Sequence, residues 1–399
     1  MVTTLRNTWL ICFILSSCVL LAGCWDRREI NDIAFVTGTA LDKDGGEYRT
    51  SHQIALPGQL GGAGSKGGGG GTSGSKSWYT VSETGVTIRE AALRQQSVVP
   101  RLLYTAHRRV VLFSDELAKE GLAPVMDALG RIPQNRLNAV VLITKGPARE
   151  VLDCNVPVER LPSETARELG TSTMKQPRTI RYLVHTLLTD GVDPSLPVIE
   201  LIPSQTPGAD QDQTDMRVSD IAVFRESKLA GMVEGDLAKY LLLALNQARN
   251  AEYTVPAPAG AGYVMVQMQE NDVNLVPRPD NGNFSMKVEI KGKATVMENE
   301  SNYNLVSRDN IPALERVLNE QIESHVTEVI NELQSEHKSD ALGFGKTIRE
   351  RLPEEWRDVA KDWHEVYPDV KVTVESRVYI EHIGAVVSPF GRKDRHLVQ

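Results

Sequence analysis

Hydrophobic positions recur with two different periods along this chain, and the switches between them outline its elements. Ile33, Phe35 and Thr37 alternate with Ala34 and Val36 in an apolar run that lasts to Leu41, the pattern of a strand buried on both faces. Asp44-Gly45 is a hairpin turn signal, and Tyr48 to Leu56 supplies a partner strand. Trp78 to Val81 resumes a strand. Thr87-Ile88-Arg89-Glu90 forms a capping box that opens a helix with Ile88, Ala91 and Ala92 on its inner face. Val110 to Phe113 is a short buried strand, and Ser114 caps a helix carrying Leu117, Leu122 and Val125. Asn138 to Thr144 is a further strand, and Gly146-Pro147 begins a helix that runs through Leu152. Two more helical stretches follow, the second from Thr179 to Thr189 with Ile180, Leu183, Val184, Leu187 and Leu188 at helical spacing.

The second half reads more simply. Residues 203–217 are polar and hold Pro203, Pro207 and Gly208, so a linker is expected. A hairpin pairs Ile221–Phe224 with Leu229–Val233, an apolar helix spans Leu237 to Leu245, and Ala257 to Gly262 reads as a break. Phe284, Met286, Val288 and Ile290 alternate with polar residues, and Lys291-Gly292 is expected to turn into a second strand through Val296. Asp309 or Asn310 caps a long helix whose stripe is Leu314, Val317, Leu318, Ile322, Val326, Val329, Ile330 and Leu333. A second helical region holds Trp356 and Trp363, and Val370, Val372 and Val374 open a closing strand that ends near Ile383. Strands and helices mix without a strict alternation, which favours an α+β fold over a doubly wound sheet. The expected division is a signal segment at 1–23, an N-terminal α+β domain at 24–202 with a Gly/Ser-rich loop at 58–76, a small middle module at 218–262 and a C-terminal α+β domain at 263–399.

The first residues follow a different logic. Arg6 precedes an apolar run from Trp9 to Ala22, which closes on Leu21-Ala22-Gly23-Cys24. A run of about 14 residues suits a signal-peptide core and is short for a spanning helix, which needs about 20. Small residues before the cysteine expose the backbone to a peptidase. Diacylglyceryl transfer to the Cys24 thiol would then supply two acyl chains at one site. Each buried CH2 contributes about 0.8 kcal/mol, and two chains hold stably where one is marginal. Residues beyond Cys24 would lie outside the cytoplasm. Removing the signal takes one charge, Arg6, and moves the net charge from −8 to −9. No run of Lys and Arg stands out, so neither nucleic acid nor an anionic surface is expected as main partner.

Candidate chemistry is sparse. Cys12 and Cys18 leave with the signal and Cys24 is acylated on this reading, so Cys154 stands alone as a half-buried structural thiol and a disulfide framework is excluded. Eight histidines show no i, i+4 pair and no cluster with cysteine, so no metal site is expected. Gly62-x-Gly64-x-x-Gly67 matches a dinucleotide pattern but lies in a Gly/Ser tract with no strand before it. Gly345-Lys346-Thr347 looks like the end of a P-loop, yet Asp340 stands where glycine is required. Asp340 to Gly345 is instead expected to end a helix in a turn that buries Leu342 and Phe344, with glycine at a positive-φ cap. Trp356 and Trp363 are expected as core anchors. No catalytic residue and no cofactor is nominated.

The mature start Cys24-Trp25-Asp26-Arg27-Arg28-Glu29-Ile30-Asn31-Asp32-Ile33-Ala34, running into Val36-Thr37-Gly38-Thr39-Ala40-Leu41-Asp42, resembles the Ger(x)C family, the C subunits of endospore nutrient germinant receptors. The likeness continues at Glu90-Ala91, at His107 before Val110–Phe113, at Ala148–Leu152, and at Ile221–Phe224 with Lys228–Gly231. It is strongest at Asp340–Gly345, Arg351–Trp356 and Trp363. The chain departs from the family in an enlarged glycine-rich stretch after Gly58 and in Arg131-Ile132-Pro133-Gln134, where an acidic residue is more usual. The resemblance implies a non-enzymatic lipoprotein of three α+β domains on the outer face of the spore inner membrane. Its partners would be a multi-span A subunit and a transporter-like B subunit, and its role the response of spores to nutrients. Trp25, Asp26, Arg27, Arg28 and Glu29, next to the bilayer, are the candidate contact with a membrane subunit. A solute-binding lipoprotein of an importer is the alternative; it requires two lobes of repeated parallel strand–helix units around a cleft. The anchor is tested directly: Cys24→Ala is expected to lower retention in the membrane fraction, and normal retention would contradict acylation at this site.

Overall fold

The computed structural model describes Trp9 and residues 30–384, except 57–75, 133, 205–213, 260, 281, 282 and 308. After a short 3-10 turn at Ile30–Asp32 come β1 (Ile33–Asp44), β2 (Glu47–Ala55), β3 (Trp78–Gly85), α1 (Ile88–Val98), β4 (Leu102–Tyr104) and β5 (Val110–Ser114). Then follow α2 (Asp115–Glu120), α3 (Ala123–Gly130), β6 (Val140–Thr144), α4 (Ala148–Asp153), α5 (Pro162–Ser172), α6 (Ile180–Leu187), β7 (Ser195–Pro203), β8 (Thr214–Arg225) and β9 (Lys228–Val233). All nine strands join one sheet, in the order β3-β2-β1-β5-β6-β7-β8-β9 with β4 beside β1. Strands β1, β5, β6 and β7 run parallel, β4 is parallel to β1, and β2, β3, β8 and β9 on the two flanks pair antiparallel. The fold is α+β with mixed sheets.

Both faces of the parallel run are covered, which explains its unbroken apolar sequence. Val111, Phe113, Val141 and Ile143 point to one face, where Leu117 of α2, Val125 of α3 and Leu183 of α6 meet them. Val110, Leu112, Val140 and Leu142 point to the other, against Val151 and Leu152 of α4 and Ala166 of α5. The helix expected after Ser114 is two helices: Ser114 does cap the first, but Gly121 at φ 123° stops it and turns the chain into α3.

The second sheet holds β10 (Glu252–Pro256), β11 (Tyr263–Asp280), β12 (Asn283–Asn299) and β13 (Lys371–His382) in that order, after α7 (Gly235–Ala244). On it lie α8 (Asn310–Glu332), α9 (Phe344–Arg351), α10 (Pro353–Val359) and α11 (Trp363–Val366). The turn expected at Lys291-Gly292 is absent. Strand β12 runs straight through, and Gly292 sits opposite Asn271, where an added Cβ would lie 2.7 Å from the Glu270 carbonyl oxygen. Its partner β11 is an 18-residue strand that polar residues and two prolines conceal. The stripe of α8 is buried as expected, apart from the half-buried Val317.

Residues 218–262 serve both bodies. Strands β8 and β9 extend the first sheet, while α7 and β10 enter the second core. The polar stretch at 203–217 is strand at both ends, because β7 reaches Pro203 and β8 starts at Thr214, so the linker expectation fails there. Strand β8 divides its side chains between two cores: Ala222 and Phe224 face α2, α3 and α6, whereas Ile221 and Val223 join the core under α8. Leu318 of α8 is fully buried in that core. Leu318→Ala is therefore expected to destabilise the protein by about 3 kcal/mol, and Val317→Ala by under about 1 kcal/mol; urea denaturation monitored by circular dichroism measures both.

Candidate functional site: the buried aspartate joint and the entry edge

The turn from Ser339 to Gly345 is where the two bodies meet. Helix α8 ends in a π turn at Leu333–His337, and Lys338 takes the left-handed conformation at φ 47°, so a lysine rather than a glycine caps it. Gly343 (φ 75°) instead stands before α9, and the turn begins that helix. Four N–H groups at a helix start lack intrahelical partners and attract an anion. Here the chain supplies its own. The Asp340 carboxylate accepts from the Phe344 N–H and the Gly345 N–H, both at 2.8 Å, and from Trp363 Nε1 at 2.9 Å. Position 340, where a P-loop would have glycine, thus carries the anion that a phosphate would otherwise be.

Asp193, from the loop before β7, completes the joint. Its backbone N–H donates to the Asp340 carbonyl at 2.9 Å, and its carboxylate accepts from the Asp340 N–H at 2.8 Å and the Glu226 N–H at 2.7 Å. Glu226 forms the β8–β9 turn at φ 55°. Ser339 Oγ donates to the carbonyl of Phe224 in β8. Backbones approach closely at the next step: Lys346 donates to the Gly191 carbonyl at 2.6 Å, and a Cβ on Gly191 would lie 2.4 Å from the Gly345 carbonyl carbon. Glycine is required at both 191 and 345, since a Cβ on Gly345 would meet Trp363 at 2.6 Å. Trp356 and Trp363 are buried with rings 5.4 Å apart; the second is also a hydrogen-bond donor to the joint, a role its spacing did not suggest.

Burial pushes the Asp340 carboxyl up to about 7, against the pull of its three N–H donors, and the Asp193 charge adds to the rise. Burial likewise raises Asp193, opposed by the Glu226 N–H and by His364 nearby. Every carboxylate oxygen of the two residues is engaged by a backbone or indole N–H within the fold, so the pair joins segments of the chain. Among the described residues no His/Cys/Asp/Glu group is arranged to hold a metal. Cys154 is half-buried and outside any disulfide, and burial lifts its thiol to about 11, far from a reactive thiolate.

Cys24 and the candidate contact residues Trp25, Asp26, Arg27, Arg28 and Glu29 lie outside the described residues, as does Gly62–Gly67. The chain enters the first sheet at Ile33, beside Leu102 of β4, and residues 57–75 connect Leu56 to Lys76, with the Leu56 N–H bonded to the Ser77 carbonyl. Because β2 is antiparallel to β1, both connections meet the sheet at one edge, the edge where the parallel strands begin. At the opposite edge, the C-terminal ends of parallel strands are the usual ligand crevice of such sheets. There Asp42 accepts from the Ala148 N–H at 2.6 Å and the Arg149 N–H at 3.2 Å, beside a cavity of about 200 Å³ that Ser114, Asp115 and Gly146 also line. The second sheet has a single parallel pair, β12 with β13, so the described residues lack the twin parallel lobes of a solute-binding cleft. No described helix is long and apolar enough to cross a membrane.

Two family models match the chain: the spore germination protein N-terminal domain over residues 26–201, and the spore germination B3/GerAC-like C-terminal domain over residues 219–384. The chain is 39% identical over 370 residues to the putative spore germination protein YfkR of Bacillus subtilis (strain 168), spanning 92% of this chain and 95% of that protein. It is 26% identical to spore germination protein KC of the same organism, over 96% of this chain and 98% of that one. Among solved structures it matches the crystal structure of the GerBC protein with a TM-score of 0.55 and 17% identity, covering 90% of this chain and all of the other. The chain belongs to the Ger(x)C family of spore germination proteins. The first match ends within β7 and the second begins within β8, two strands that pair within one sheet.

The joint generates a pH prediction. A carboxyl whose pKa is higher folded than unfolded adds stability that is complete at low pH and is lost as pH rises through its folded value. The Asp340 contribution to wild-type stability should therefore fall between about pH 4 and pH 7 by up to about 1.4 kcal/mol per pH unit. Asp340→Asn turns an amide N–H2 toward N–H donors and should cost about 2–3 kcal/mol. Its deficit relative to wild type should be larger at pH 5 than at pH 8; urea midpoints at both values check this.

Proposed function

We propose that this chain is the lipid-anchored C subunit of a nutrient germinant receptor, a non-enzymatic component needed for spores to respond to nutrients. The observation that carries the reading is end-to-end membership of the family, over 92% of this chain for the relative YfkR and 96% for protein KC. The anchor would be a diacylglyceryl group on Cys24, on the outer face of the spore inner membrane. The A and B membrane subunits would be its neighbours, with Trp25 to Glu29 at the contact. Tethering supports this mode of action physically, since a body held within nanometres of its partners needs only weak contacts to stay associated. The single entry edge of the first sheet supports it too: residues 24–32 are the sole covalent spacer between the bilayer and β1, and at about 3.5 Å per residue they keep that edge within about 32 Å of the surface.

The test is genetic. Spores lacking the gene, in a strain without parallel receptors of the same nutrient range, are expected to keep their refractility with nutrients and to lose it normally with a non-nutrient trigger. An unchanged nutrient response would contradict the assignment.

A further inference from the structure

Arginines that are far apart in sequence converge at the edge where the chain enters the first sheet. His107, Arg108 and Arg109 precede β5, Arg136 precedes β6, and Arg167 projects from α5; together they line a cavity of about 380 Å³. His107 lies against Phe35 of β1, with ring centroids 5.4 Å apart, and Arg109 donates its N–H to the Thr37 carbonyl at 2.7 Å. The cavity is therefore within a few residues of Ile33, on the side from which the anchor segment arrives.

Its charge is not balanced from within. Glu164 is shared by Arg109 at 3.5 Å and Arg167 at 2.9 Å, and Glu168 pairs with Arg167. Arg136 is exposed and has no hydrogen bond or ion pair among the described residues. Arg108 is the unusual group. It is 5% exposed, and its guanidinium reaches only neutral oxygens, Thr39 Oγ1 at 3.3 Å and Asn135 Oδ1 at 2.9 Å. Its Nε is buried without any acceptor. Burying a guanidinium with no counter-charge is expensive, and an anion held in the adjoining cavity would offset that charge through space. Arginine forks match the oxygens of phosphate in geometry as well as in charge.

We propose that this cavity binds a phosphate oxyanion, with Arg109, Arg136 and Arg167 around it and the buried, uncompensated charge of Arg108 behind them. The bilayer is the nearest source, as the phosphodiester of an anionic phospholipid headgroup, and soluble phosphate is the other. The site would orient the first sheet on the membrane through a second contact beside the acyl anchor. Only the choice of the bilayer as source rests on the proposed anchor; an unmodified Cys24 would overturn the anchor and leave the anion site standing.

The experiment uses the full chain in neutral detergent micelles, with melting followed by tryptophan fluorescence. Dihexanoyl phosphatidylglycerol, dihexanoyl phosphatidylcholine and inorganic phosphate are titrated separately at constant ionic strength. Phosphatidylglycerol is expected to raise Tm by about 2 °C or more at saturation, with phosphatidylcholine well below it. Arg136→Gln should leave the ligand-free Tm unchanged and abolish the shift. Arg108→Met should abolish it as well, without lowering the ligand-free Tm, because a buried charge is exchanged for an apolar stem. A shift with inorganic phosphate at lower concentration than with lipid assigns the site to soluble phosphate. No shift with either, or an equal shift in Arg136→Gln, overturns the proposal.

Discussion

A carboxylate removed from water must find donors or take up a proton, and the way Asp340 meets that demand organises the middle of this molecule. Its oxygens close the open start of α9 and hold the Trp363 indole. Its backbone exchanges two hydrogen bonds with Asp193, whose other oxygen holds the β8–β9 turn. One buried anion thus connects a helix start, an aromatic core and the far edge of the first sheet. The neighbouring glycines follow from it, because Gly191 and Gly345 must let two backbones touch for the carboxylates to reach their donors.

The same region makes the two sheets one mechanical unit. Strand β8 contributes alternate side chains to separate cores, so neither core can loosen without exposing residues of a strand that the other also holds.

Much of this was legible in the residues. Periodicity located β1, β5, β6, the α8 stripe and β13, because those elements are apolar on the faces they bury. It failed where burial and polarity part company. Strand β11 is hydrogen-bonded to β12 throughout, yet from Glu270 onward its side chains are half-buried or exposed except at Pro277, without the alternation that marks its first half, and Pro277 and Pro279 argue against a strand. Gly292 resembled a turn because its lack of a side chain serves a close backbone approach instead. Asp340 stood out within a recognisable motif, whereas Asp193, 147 positions away, lies in a segment with nothing to mark it. The arginine cavity was invisible for a related reason: its members come from three separate segments, so charge counted along the chain shows no basic run where the folded surface has one.

The central claim is that the aspartate joint and the shared strand bind the two sheets into a single cooperative body. Hydrogen exchange of the full chain in rising urea, read by mass spectrometry, tests it most directly. Peptides from β5 and β6 in the first sheet and from the buried part of α8 and the start of α9 in the second should converge on one opening free energy. Two plateaus separated by several kcal/mol, with the Phe344 and Gly345 amides exchanging at the lower one, would contradict the account.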